Sequence, residues 1–141
     1  MTKQELIISG AMLYACEGTK ARRDTRGENR FNYSIELTNS TPQIISLFMK
    51  FLREIIKPNF ARVKGQLFVY KDHNEQKLKE YWANISGIPI GQFTKVIMLK
   101  QKGSKYKPNP LGTFKIRYCC KSDFFKLQDM IHNVWEDAKI S

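Results

Sequence analysis

The group best placed to do chemistry is one carboxylate, Glu17. It closes an apolar, small-residue run, Leu6-Ile7-Ile8-Ser9-Gly10-Ala11-Met12-Leu13-Tyr14-Ala15-Cys16, and Gly18 follows it at once. Read as a helix, the run delivers an acid to a defined place. On that helix Gly10 and Glu17, seven residues apart, share nearly one line, with Ile7 and Tyr14 beside them. Glycine inside a helix costs about 1 kcal/mol relative to alanine, and close approach of another backbone is the reason favoured here. The plainer alternative is a buried helix finishing on a solvated Glu-Gly cap. Other chemistries fail on spacing. His73 and His132 are far apart, and Asp72-His73-Asn74 reads as a helix-capping segment. The sequence has no zinc spacing, phosphate-cradling glycine loop or nucleophile elbow.

An acid needs a substrate, and charge narrows its class. The 24 Lys and Arg against 13 Asp and Glu leave a formal charge of +11, which points to a polyanion, most often nucleic acid. At 141 residues, 42% hydrophobic and 12% aromatic, the chain is read as one domain able to bury its own core. Three cysteines, two of them adjacent at Cys119 and Cys120, suggest no disulfide framework, so a reduced, intracellular setting is expected. Leu13-Tyr14-Ala15-Cys16 after an apolar run imitates a lipoprotein signal. That reading is set aside because Glu5 opposes Lys3, Tyr14 sits where a small residue is expected, and the run is too short to span a membrane.

The elements that must position the acid follow in order. Thr19 to Arg30 carries Lys20, Arg22, Arg23, Arg26 and Arg30 around Gly27, and predicts a hairpin with a basic tip. Phe31 to Thr38 alternates strictly, with Phe31, Tyr33, Ile35 and Leu37 on a core face and Asn32, Ser34, Glu36 and Thr38 on a face free to meet a ligand. Asn39-Ser40-Thr41-Pro42 starts a helix whose apolar face runs from Ile44 to Ile56 and which Lys57-Pro58 ends. Phe60 to Lys71 predicts a strand with Arg62, Lys64 and Gln66 opposite Val63, Leu67 and Val69, and Gly65 marks a bulge or turn. Asp72 and Glu75 resemble a cap for a helix through Leu78, Tyr81, Trp82 and Ile85. Phe93 to Leu99 is a further strand, Lys100 to Pro110 a lysine-rich loop with Lys102 and Lys105, and Thr113 to Cys120 a last strand carrying Lys115 and Arg117. Ser122 would cap the final helix. Strands arriving in hairpins argue for an antiparallel α+β sheet.

The polar faces of three strands thus carry Asn32, Ser34, Glu36 and Thr38, then Arg62, Lys64 and Gln66, then Lys115 and Arg117. Such a sheet can lie along a DNA groove, mixed donors and acceptors reading base edges while Lys and Arg grip phosphates. The alternative is an ordinary half-exposed antiparallel sheet.

Gly10-Ala11-Met12-Leu13-Tyr14-Ala15-Cys16-Glu17-Gly18 resembles the nine-residue motif of the LAGLIDADG homing endonucleases, in the single-motif form. Tyr33-Ser34-Ile35-Glu36-Leu37-Thr38-Asn39-Ser40 is similar to the strand that precedes the second helix of that family. The element order fits apart from an inserted helix around Leu78 to Ile85. The family's last motif acid is usually aspartate and here is Glu17, and its glycine at the third motif position is Met12. The resemblance implies an α+β fold with a saddle-shaped antiparallel sheet, helices on one face, and a homodimer packed through the motif helices at Ile7, Gly10, Ala11, Leu13 and Tyr14. It also implies double-stranded DNA as partner.

By the same resemblance, the paired Glu17 carboxylates hold Mg²⁺, or another divalent ion such as Mn²⁺ or Ca²⁺, over the scissile phosphates. A carbonyl of Gly18 or Cys16 completes the ligand set. Asn39 matches the polar residue that positions water, and Lys121, with Lys95 behind it, stands for the family's active-site lysine. Phosphodiester cleavage needs a hard cation to stabilise charge on the phosphate and to activate water, and Mg²⁺ takes oxygen ligands while keeping several waters. The expected activity is site-specific DNA cleavage on a roughly palindromic site. The alternatives are a DNA-binding regulator on the same scaffold that does not cut, and a basic RNA-binding module.

Overall fold

The computed structural model describes residues 1–19, 22–23, 31–100 and 109–139, with 22–23 and 31–32 described in the backbone alone. Among these residues it is an α+β arrangement of four α-helices with a four-stranded sheet and a separate two-stranded sheet. No helix among these residues is long and apolar enough to cross a membrane.

Helix α1 (Lys3–Glu17) starts on a capping box, Thr2 Oγ1 accepting from the Glu5 N–H while Glu5 accepts from the Thr2 N–H. It ends at Gly18, whose N–H closes on the Tyr14 carbonyl at 2.8 Å. An added Cβ at Gly18 would sit 2.3 Å from the Tyr14 ring, so lack of space, rather than backbone angle, calls for glycine there. Strands β1 (Arg22–Arg23) and β2 (Phe31–Asn32) pair antiparallel, and the tip of the expected hairpin lies outside the described residues. Its basic residues Lys20, Arg26 and Arg30 lie outside the described residues.

The long alternating strand is broken at Tyr33, and β3 runs Ser34–Asn39. Helix α2 (Pro42–Phe51) has proline in its first turn and continues as a π-helical turn, Leu52–Ile56, closed by Lys57 in the left-handed region. Ile45, Phe48, Met49, Phe51, Leu52, Ile55 and Ile56 are all buried. After a short 3₁₀ turn (Phe60–Arg62), β4 (Val63–Tyr70) alternates buried and half-buried positions along its whole length. Gly65 makes no bulge; it pairs in register with Ile116 and makes room for the Phe114 ring. Helix α3 (Glu75–Ser86) is capped by Asn74, not Asp72, and closed by Gly87 at φ 74°.

The predicted strand from Phe93 shrinks to β5 (Ile97–Leu99), because Ile90–Gln92 forms a 3₁₀ turn and Phe93 packs on Phe114. Strand β6 (Thr113–Cys119) leads directly into helix α4 (Lys121–Asp137), whose N-cap is Cys120 and not Ser122. The sheet order is β3-β6-β4-β5; the first two pairings are antiparallel and β4 with β5 is parallel. The sheet is therefore mixed and not wholly antiparallel. The chain leaves β4 and returns through α3, a crossover that brings the next strand back in the same direction.

The apolar sheet face, Ile35 and Leu37 with Phe114, Ile116, Val63, Leu67 and Val69, forms one core with the helices. Gly10 belongs to that core. A Cβ there would lie 2.1 Å from the Phe51 ring, which is fully buried, so Gly10 serves contact between α1 and α2 within one chain. Gly10→Ala is expected to destabilise the fold by about 1–3 kcal/mol through overpacking, read as a lower denaturation midpoint with the oligomeric state unchanged.

Candidate nucleic-acid and metal site

The Glu17 carboxylate, exposed at the end of α1, receives Asn39 Nδ2 on Oε2 at 3.4 Å. Asn39 is the last residue of β3, and its Oδ1 accepts the Thr41 N–H at 2.8 Å, so the amide is oriented by the start of α2. Two residues 22 apart in sequence are thus brought together at the junction of α1 and the sheet. Among the described residues no group of three or more His, Cys, Asp or Glu is gathered for a metal ion. One chain offers a single carboxylate plus helix-end carbonyls near Cys16 and Gly18, where intrahelical partners run out. These oxygen donors match a hard divalent cation in kind, and need a second carboxylate to match it in number.

The helix end is fastened to β3 by Tyr14. Its hydroxyl donates to the Thr19 carbonyl at 2.6 Å and accepts the Glu36 N–H at 3.2 Å, while the Thr19 N–H donates to the Glu36 carbonyl at 2.9 Å. Burial pushes the Tyr14 hydroxyl up to about 12 from the usual 10. Burial also raises the Tyr118 hydroxyl, with help from its hydrogen bond to Asp123. The folded chain holds both protons more tightly than the unfolded chain does. The stabilisation is therefore complete below pH 10 and is lost as pH rises toward about 12. Denaturant midpoints followed into that alkaline range should fall, and Tyr14→Phe should flatten the decline.

Register places the polar sheet face as a small array. Arg117 stands between Glu36 and Lys64, and Lys115 between Thr38 and Gln66. Glu36 Oε1 lies 2.9 Å from Lys115 Nζ and 3.6 Å from Arg117 Nε, and its side chain is only 5% exposed. Ser34 and Glu36 are thus buried rather than free, because both find partners inside the sheet: Ser34 Oγ with Cys119 Sγ, Glu36 with its two cations. Thr38 is exposed as expected. Gln66 donates to the Lys95 carbonyl at 2.9 Å, and Lys64 to the Ala61 carbonyl at 3.2 Å. Arg62 falls in the 3₁₀ turn before β4 and leaves this face; its guanidinium donates to the Cys119 carbonyl and lies 6.0 Å from the Tyr118 ring centre. Lys102 and Lys105 lie outside the described residues.

Two further expectations need correction. Lys121 Nζ lies 5.2 Å from the centre of the Tyr33 ring, just before the first residue of β3, whereas Asn39 is the last. Six residues of extended chain span about 20 Å, beyond a lysine's reach, so Lys121 does not belong with Glu17 and Asn39. Lys95 is exposed. The register instead sets Lys115 opposite Thr38, one residue from Asn39. The expected dimer contacts at Gly10, Ala11 and Tyr14 are also overturned, since all three are buried within the single chain. Ile7 and Leu13 are half-buried. Met12 and Ala15 are half-buried as well and pack against the core, which leaves Ile8 and Cys16 as the exposed residues of the stretch from Leu6 to Cys16. Ile8, 41% exposed, joins Ile7 in lining a groove with Met130 and Val134 of α4.

Sequence reasoning also missed the base of the lysine-rich loop. His73 Nδ1 accepts the Tyr70 N–H at 2.9 Å and Nε2 donates to the Asn109 carbonyl at 2.7 Å, a structural role no spacing signalled. No protein-family model matches the chain, and neither a curated protein nor a solved structure matches it.

Proposed function

We propose that the chain is a double-stranded DNA endonuclease of the LAGLIDADG homing type, working as a homodimer with Mg²⁺. The observation that carries this reading is the Glu17–Asn39 pair at 3.4 Å, set where the end of α1 meets the end of β3, an edge strand of the sheet whose polar face bears Lys64, Lys115 and Arg117. A second copy docked on the side of α1 that exposes Ile8 and Cys16 would bring a second helix end, with its own carboxylate, toward the first. Glu17 from each copy would then hold the cation, with a Gly18 or Cys16 carbonyl and phosphate oxygens as further ligands. When bound, the metal supplies charge stabilisation at the phosphate and a more acidic water. Asn39 orients the carboxylate and presents an amide to water, and the sheet cations hold the duplex.

A second reading is a DNA-binding protein that does not cleave. Ile8 favours it, because a bulky exposed side chain on α1 would hold paired helices farther apart than a small residue would. The test is incubation with a library of duplexes, with and without Mg²⁺. Metal-dependent cutting at defined sites supports the nuclease; specific binding without cutting supports the regulator; preference for structured RNA sinks both. Sedimentation of the Ile8→Asp variant tests the dimer, which is expected to dissociate to monomer.

A further inference from the structure

The DNA-facing array of β3, β6 and β4 contains one carboxylate among its cations, and that carboxylate is its most buried charge. Glu36 holds Lys115 at 2.9 Å and Arg117 at 3.6 Å through the same oxygen, with side-chain exposures of 5%, 22% and 47%. Lys64 lies directly across from Arg117 on the other strand, so without Glu36 like charges would face each other in the middle of the sheet. The backbone of Glu36 is held as firmly as its side chain: its N–H donates to the Tyr14 hydroxyl and its carbonyl accepts the Thr19 N–H. The residue that fixes the end of the motif helix therefore also sets the two central cations.

We propose that Glu36 is an internal counter-anion that withholds Lys115 and Arg117 from phosphate, keeping sequence-independent affinity low and leaving those side chains aimed along the sheet surface for base edges. The inference rests on the DNA-binding reading above. Phosphate contacts supply most non-specific binding and make it depend steeply on salt, whereas base contacts supply specificity. A carboxylate already seated on both cations competes with any phosphate that approaches them. Glu36 is thus a positioning and specificity residue and not a catalytic one.

The experiment is titration of a random-sequence duplex with the full chain over a salt series, for the wild type and Glu36→Gln. Freeing two cations should steepen the slope of log K against log salt by about 2 and tighten low-salt binding about tenfold. A purely structural role for Glu36 would leave the slope unchanged or make it shallower through partial unfolding, and either result overturns the proposal. If circular dichroism shows Glu36→Gln unfolded, Glu36→Asp keeps the charge and withdraws it by one methylene. It should shift the slope in the same direction by a smaller amount, and no shift overturns the proposal. A wild-type chain that binds no duplex even at low salt overturns the DNA reading itself, and this inference with it; that result is distinct from a wild type that binds with a slope Glu36→Gln does not change.

Discussion

Glu17→Gln is expected to reduce Mg²⁺-dependent strand cleavage by at least about 10³-fold, since a metal's charge stabilisation is worth several kcal/mol. Duplex affinity in the absence of divalent metal should stay within about threefold of the wild type, because an exposed residue at a helix end is being exchanged for one of the same shape. The Asn39 amide can still meet a glutamine carbonyl at the position where it now meets Oε2. The measurement is single-turnover cleavage beside a binding titration on the same duplex. Parallel loss of binding and cutting would place Glu17 in the fold or the DNA contact surface instead. Asn39→Ala should have a smaller effect on cleavage, because its amide steers the carboxylate and does not supply charge.

Trp82→Ala is expected to have the largest effect on stability, about 3–5 kcal/mol. The indole is fully buried and stacks on Phe114 at 5.3 Å with the rings 3° from parallel, and its N–H donates to the Leu111 carbonyl at 2.7 Å. Truncation would leave a large cavity between α3 and the sheet and strip the carbonyl of its partner. Leu111 stands just before β6, the strand that presents Lys115 and Arg117. The variant should therefore weaken duplex binding as well as lower the denaturation midpoint. Trp82→Phe keeps a ring on Phe114 and loses the hydrogen bond and part of the indole's volume, and should recover more than half of the stability. Equal losses in both variants would show that the hydrogen bond, and not the stack, carries the energy.

Trp82 also marks where sequence reading reached its limit. Its helix was visible from the spacing of Leu78, Tyr81, Trp82 and Ile85, yet the same helix stood outside the family resemblance as an insertion. In the fold it is the crossover that makes β5 parallel to β4, so the one departure from the expected antiparallel sheet traces to this element. Periodicity identifies a helix by its buried face; it carries no information on which strand follows beside which. The alternation of Val63 to Tyr70 and Thr113 to Cys119 was legible for the same reason, because each strand has one face on the core.

What the amino-acid order determined is local: the capped apolar helix ending in Glu17, the alternating strands and the basic excess. Tertiary structure decided what each small or charged residue is for. Gly10 read as a site for another chain's backbone, and packing filled that space with Phe51 of the same chain. Glu36 read as a free face residue, and strand register set two cations on it. Lys121 read as close to the acid, and the length of β3 placed it at the far end. In each case the deciding quantity is a distance between elements remote in sequence. That distance comes from how the whole core closes and not from any residue's own preference.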